Sequence, residues 1–128
     1  MNDVQVSRLR AALIAVGLIF IVGIAPLSRI WASGWSWGTG PSHYFPMILG
    51  VYATLGVFLL LASRDPLQNR SLIWFTVWSS VVHAVIMAVQ ALRDPAERGH
   101  LVGDVPALLI VAALLAVLTP RGAQAARA

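Results

Sequence analysis

A histidine stands in the middle of an apolar stretch, and the polar residues around it recur at helical spacing. Thr76, Ser79, Ser80, His83, Met87 and Gln90 all lie between Ser71 and Leu92. At about 100° per residue they fall within roughly 100° of arc on a helix, while Val77, Val81, Val85 and Ile86 point elsewhere. Lipid offers such groups no hydrogen-bond partners, so the polar side must face protein, either within the chain or in a second subunit. Two kinds of chemistry suit His83. It can bond to a neighbouring helix, with Tyr52 or Thr54 as partner, and hold the bundle together. It can also relay protons or line a small-molecule pocket with Ser80, Gln90 or water. Haem or metal ligation needs a second buried imidazole. His43 and His100 stand at segment edges, so that partner would have to come from another copy of the chain. No cofactor and no metal site are predicted.

Asp104 is the second residue of interest. It opens the last apolar segment, where the helix macrodipole favours a carboxylate and Arg93, Arg98 or His100 could pair with it. An antiparallel arrangement also brings it level with Gln90. Gln90, Arg93, Asp104, His100 and His43 could then converge as an outer funnel above His83, with Tyr44 and Trp37 as aromatic walls. Met87 reads as packing rather than as a ligand, and Trp74 and Trp78 as anchors or packing.

The elements that position these residues are four apolar segments, roughly residues 11–27, 44–63, 71–92 and 101–119, bounded by charge, Pro or Gly. About 20 helical residues cross the hydrocarbon layer, so each is long enough to span. Dyad alternation of the kind a membrane strand needs is missing. The expected fold is an all-α, up-down transmembrane four-helix bundle forming one domain over residues 1–128. Short loops imply that consecutive helices are antiparallel neighbours.

Composition agrees. The chain is 59% hydrophobic and 11% charged, which sets it well apart from soluble domains. All nine basic residues are Arg and sit at segment edges, a pattern suited to lipid headgroups and not to nucleic acid. Without cysteine, disulfides, thiol catalysis and thiolate metal sites are excluded. Arg8, Arg10, Arg64, Arg70, Arg121 and Arg127 fall on one side, against Arg29, Arg93 and Arg98 on the other, so the positive-inside rule places both termini in the cytoplasm. The first segment exceeds a signal-peptide core and lacks a cleavage site, which predicts a retained span.

Smaller signals concern shape. Gly34, Gly38, Gly40 and Pro41 predict turns after the first span, beside an aromatic belt of Trp31, Trp35, Trp37, Tyr44 and Phe45. Gly50, Ala53 and Gly56, Ala112 and Ala116, and Gly17 and Gly23 suggest close helix contacts. Arg-Asp-Pro occurs at residues 64–66 and 93–95, where Arg can snorkel, Asp can pair or cap, and Pro stops the helix.

Tyr44-Phe45-Pro46-Met47, Arg64-Asp65-Pro66, Trp78-Ser79-Ser80-Val81-Val82-His83 and Gly103-Asp104-Val105-Pro106 together resemble a family of small, uncharacterised bacterial four-helix membrane proteins. In layout the chain is distantly similar to DoxX-like proteins, some of which are associated with respiratory quinol oxidation. The resemblance covers residues 44–118 and implies a bacterial inner-membrane bundle, without an activity to carry over. Small multidrug transporters carry an acidic residue in the first span, which this chain lacks between Arg10 and Arg29.

No nucleophile with a base and an orienting acid is recognisable, which speaks against an enzyme. The expectation is an accessory subunit or a small-ligand-binding bundle with a polar cavity around His83. The alternative is a proton-coupled transporter or quinone-interacting redox accessory using His83 and Asp104. Membrane lipids are the expected surroundings, and so short a bundle should self-associate or dock onto a larger complex.

Overall fold

A computed structural model describes residues 2–38 and 41–121. Gly40 and Arg127, which entered the turn and orientation readings, lie outside the described residues. Among those residues every regular element is helical, and four helical stretches are long and apolar enough to cross a membrane: Asp3–Ile30, Tyr44–Ala62, Arg70–Arg93 and Pro95–Leu118.

The first helix starts eight residues before the apolar run. Asn2 and Gln5 form a reciprocal capping box, each side chain accepting from the other's backbone N–H, at 2.9 and 3.1 Å. A polar turn so capped needs no lipid to be helical, and Leu9 already packs in the core. Farther along, residues Ile19–Gly23 widen into a π-helical turn. Pro26 lies just beyond. Its ring cannot donate to the Val22 carbonyl and clashes with it in regular α-geometry, and a local π-turn accommodates that defect. A four-residue helix, Ala32–Trp35, follows at the end of the bundle away from Asn2, and Gly38 provides the left-handed backbone (φ 77°) that turns the loop back.

The third helix runs to Arg93 and stops at Asp94, whose extended backbone is what a following proline demands. Residues 93–101 then do not form a plain loop. Pro95–Val102 is a 3-10 helix, N-capped by Asp94, whose carboxylate accepts from Ala96 N at 3.0 Å. Asp65 similarly accepts from Gln68 N at 3.3 Å. Asp94 therefore caps a helix and Asp65 closes a turn, and neither pairs with its neighbouring Arg among the described residues.

Packing departs from the up-down neighbour rule at one place. The first helix sits against the second, the third packs along Asp104–Leu118, and the second and third barely touch although they are consecutive. The main core joins Leu9, Leu13, Val16 and Phe20 of the first helix with Leu59, Ile73, Val77, Ala112 and Leu115. Gly17 and Gly56 bring the first two helices into close contact, each backbone lying where the other's Cβ would be. Gly50, grouped with Gly56 by spacing, faces open space. Around the outside, Val22, Val51, Phe58, Phe75, Val82, Val85, Leu92, Ile110 and Val117 are exposed. A continuous apolar surface of this kind fits lipid as solvent.

At that same end, Gly99 and Gly103 let the 3-10 segment lie directly on the backbone of Ser33 and Gly34. This contact fixes the short helix and its tryptophans over the bundle mouth.

Candidate functional site

The polar stripe of the third helix turns inward, but its members divide. Thr76 is fully buried and Ser80 nearly so, while Val82, Val85 and Ile86 are exposed. Thr76 Oγ1 donates to Leu72 O at 3.0 Å and Ser79 Oγ to Thr76 O at 3.3 Å, so both hydroxyls are satisfied within their own helix. Thr54 does the same with Gly50 O at 2.9 Å and is exposed. None of these lines the cavity formed farther along the same helix. Farther along, the stripe reaches His83, Met87 and Gln90, and all three face a cavity of about 250 Å³.

All four long helical stretches wall this space. The π-turn of the first supplies Ile19 and Phe20, and Ile24 follows; the second supplies Tyr44, Phe45, Ile48 and Tyr52; the fourth supplies Asp104, Ala107, Leu108 and Val111. Trp35, Trp37 and Ser42 close its end beneath the 32–38 segment. Because the second and third helices hardly meet, the cavity lies in the gap that their separation leaves, and one hydrogen bond bridges it. Tyr52 Oη and His83 Nδ1 are 2.5 Å apart. The Phe20 ring packs edge-on against Tyr52, centroids 5.0 Å apart, and fixes the phenol from the other side.

The second polar cluster is built on His100. It is completely buried, its ring stacked on Trp37 with centroids 3.8 Å apart and planes 18° apart. Nδ1 meets the Asp104 carboxylate at 2.9 Å, while Nε2 meets Ser36 O at 3.0 Å and Glu97 Oε2 at 3.1 Å. Acceptors meet both ring nitrogens, so a proton on either one has a partner. Trp37 Nε1 donates to Asp104 Oδ2 at 3.1 Å, and Gly38 N to Glu97 Oε1 at 3.0 Å. The cluster thus clamps Trp37 over the cavity with Asp104 at its edge.

The five-residue funnel expected at the outer mouth is not what forms. Gln90, Asp104 and Tyr44 line the cavity, but His43 and Arg93 are exposed and off its walls, and His100 lies behind Trp37. The physical reason is the 3-10 segment, whose glycines draw His100 beneath the loop instead of leaving it at a rim. Of the three partners weighed for Asp104, His100 is the one in contact; Arg93 and Arg98 make no ion pair among the described residues. Sequence reading missed Phe20 and Trp35 as wall residues. The signal for Phe20 was Pro26, one and a half turns farther on, whose backbone defect re-aims this part of the helix.

A family model matches residues 5–127, nearly the whole chain and both polar clusters. The chain belongs to the family of unknown function DUF6632. No curated protein and no solved structure matches it. For this DUF6632 member the geometry must therefore speak for itself. The cavity is mostly apolar, holds a few convergent polar groups and sits between bundle helices, which is the form small-molecule sites take. Among the described residues no group of three or more His, Asp or Glu side chains is placed to hold a metal ion.

Proposed function

We propose that this DUF6632 protein is a bacterial inner-membrane bundle that binds a small molecule in the cavity around His83, acting on its own or as an accessory subunit of a larger complex. One observation carries the reading. Two helices that otherwise stand apart are joined across an apolar cavity by the Tyr52–His83 hydrogen bond, so the polar groups are presented to an interior space. If the imidazole served packing alone, the helices should close around the bond. The arginine asymmetry supports an orientation with both termini in the cytoplasm and the cavity toward the outer leaflet.

That His83 and Asp104 line the same space favours a second reading, a proton-coupled transporter or quinone-interacting redox accessory in which both groups titrate. The two readings share the site and differ in whether protons move.

The test is to fill the cavity. Ala107 is a half-buried wall residue, and Ala107→Trp puts an indole into the space. Native mass spectrometry of protein released from membrane nanodiscs is expected to show a small-molecule adduct on the parent chain that Ala107→Trp lacks. An adduct of equal abundance in the variant would count against the cavity as the binding site.

A further inference from the structure

Resting on the ligand-binding reading above, we infer that the cavity takes a neutral, lipid-soluble molecule built on an unsaturated ring and carrying a hydrogen-bond-accepting oxygen, a ketone or similar group. Three observations set these properties.

The first is the free hydrogen-bonding capacity of the walls. If Tyr52 donates to His83 Nδ1, the imidazole carries its proton on Nε2 and offers that N–H; if His83 donates, the phenol hydrogen is the one left over. Either tautomer leaves one donor beside the cavity. A donor left unmet in an apolar interior costs about 1–3 kcal/mol, which an oxygen acceptor on the ligand would recover.

Charge is the second. Among the described residues Asp104 is the one formally charged side chain on the wall, and its oxygens meet His100 Nδ1 and Trp37 Nε1. A cation would compete with these groups for the carboxylate, and an anion would meet the carboxylate itself.

Shape is the third. Six aromatic side chains line a space of about 250 Å³, and flat rings offer a flat, unsaturated guest stacked or edge-on contacts that a flexible chain cannot match. The gap between the second and third helices gives such a molecule a route from the lipid.

Four compounds sharing one ring test the class: 2-acetylnaphthalene, naphthalene, 2-naphthoate and trimethyl(2-naphthyl)ammonium. Each is titrated calorimetrically into the full chain in nanodiscs, against empty nanodiscs. The acetyl compound is expected to bind about ten-fold more tightly than naphthalene, the worth of one recovered donor, and more tightly than either ion. In Tyr52→Phe/His83→Phe, which removes both donors of the pair, that advantage should shrink toward parity while naphthalene affinity holds, the latter showing that the cavity persists. Tightest binding by either charged compound, or an acetyl advantage unchanged in the double variant, would overturn the inference. Naphthalene binding without acetyl preference refutes the ligand class alone. Binding by none of the four refutes the cavity reading as well.

Discussion

His100→Ala is expected to destabilise the bundle by about 3 kcal/mol, the upper end of the cost of leaving a buried polar group without its hydrogen-bond partner. The imidazole is fully buried and contacts Asp104, Ser36 O, Glu97 and the Trp37 ring together. Its loss leaves Asp104, 7% exposed, with Trp37 Nε1 as its remaining side-chain donor. It also opens a void beneath the loop. His100→Gln keeps an amide donor within reach of Asp104 and should recover part of the loss. Unfolding in detergent, followed by near-ultraviolet tryptophan signals, measures both effects. An Ala variant within about 1 kcal/mol of the parent would show that the cluster is not what seats Trp37 over the cavity, since surface-like sites change by that little.

Gly56→Leu should be nearly as damaging. A Cβ at position 56 would lie 2.6 Å from Gly17 O and 2.7 Å from Ile21 Cγ1, and a backbone oxygen in a paired helix has nowhere to go. The first two helices must separate. Even overpacking that the surroundings can absorb costs about 1–3 kcal/mol, and Leu adds three more carbons. Gly50→Leu in the same helix supplies the control, because nothing lies within 4 Å of its Cβ position. That substitution is expected to be neutral or to stabilise by about 0.5–1 kcal/mol through reduced backbone freedom in the unfolded chain. Equal losses at the two positions would refute the Gly17–Gly56 contact.

The same pair of glycines shows how far sequence carries. Residue spacing alone grouped Gly50 with Gly56, since both satisfy a small-residue repeat, yet spacing says nothing about which neighbour is close. Four spans, their all-helical character and the inward face of the third were legible because hydrophobic length and periodicity are local properties. So was Tyr52 as one of two partners weighed for His83, since it lies on the preceding helix. The His100 cluster was not legible in the same way. Its place depends on two glycines meeting the backbone of Ser33 and Gly34, a contact 65 or more residues apart in the chain, and on a 3-10 segment that composition reads as loop. Phe20 escaped for a different reason: a π-turn shifts the facing of every residue beyond it, so regular helical periodicity mis-aims that wall.

The central claim is that the polar side of the third helix faces a protein interior, with His83 in it. The chain has no native cysteine, so nitroxide labels can be attached through single cysteines placed from position 80 to 89 in turn. Collision with oxygen dissolved in the bilayer then reports lipid exposure at each position. The structure predicts low collision rates at 80, 83, 84 and 87 and high rates at 82, 85 and 86, where the native side chains are 55%, 55% and 52% exposed. A maximum at 83, in phase with 82 and 86, would contradict the account.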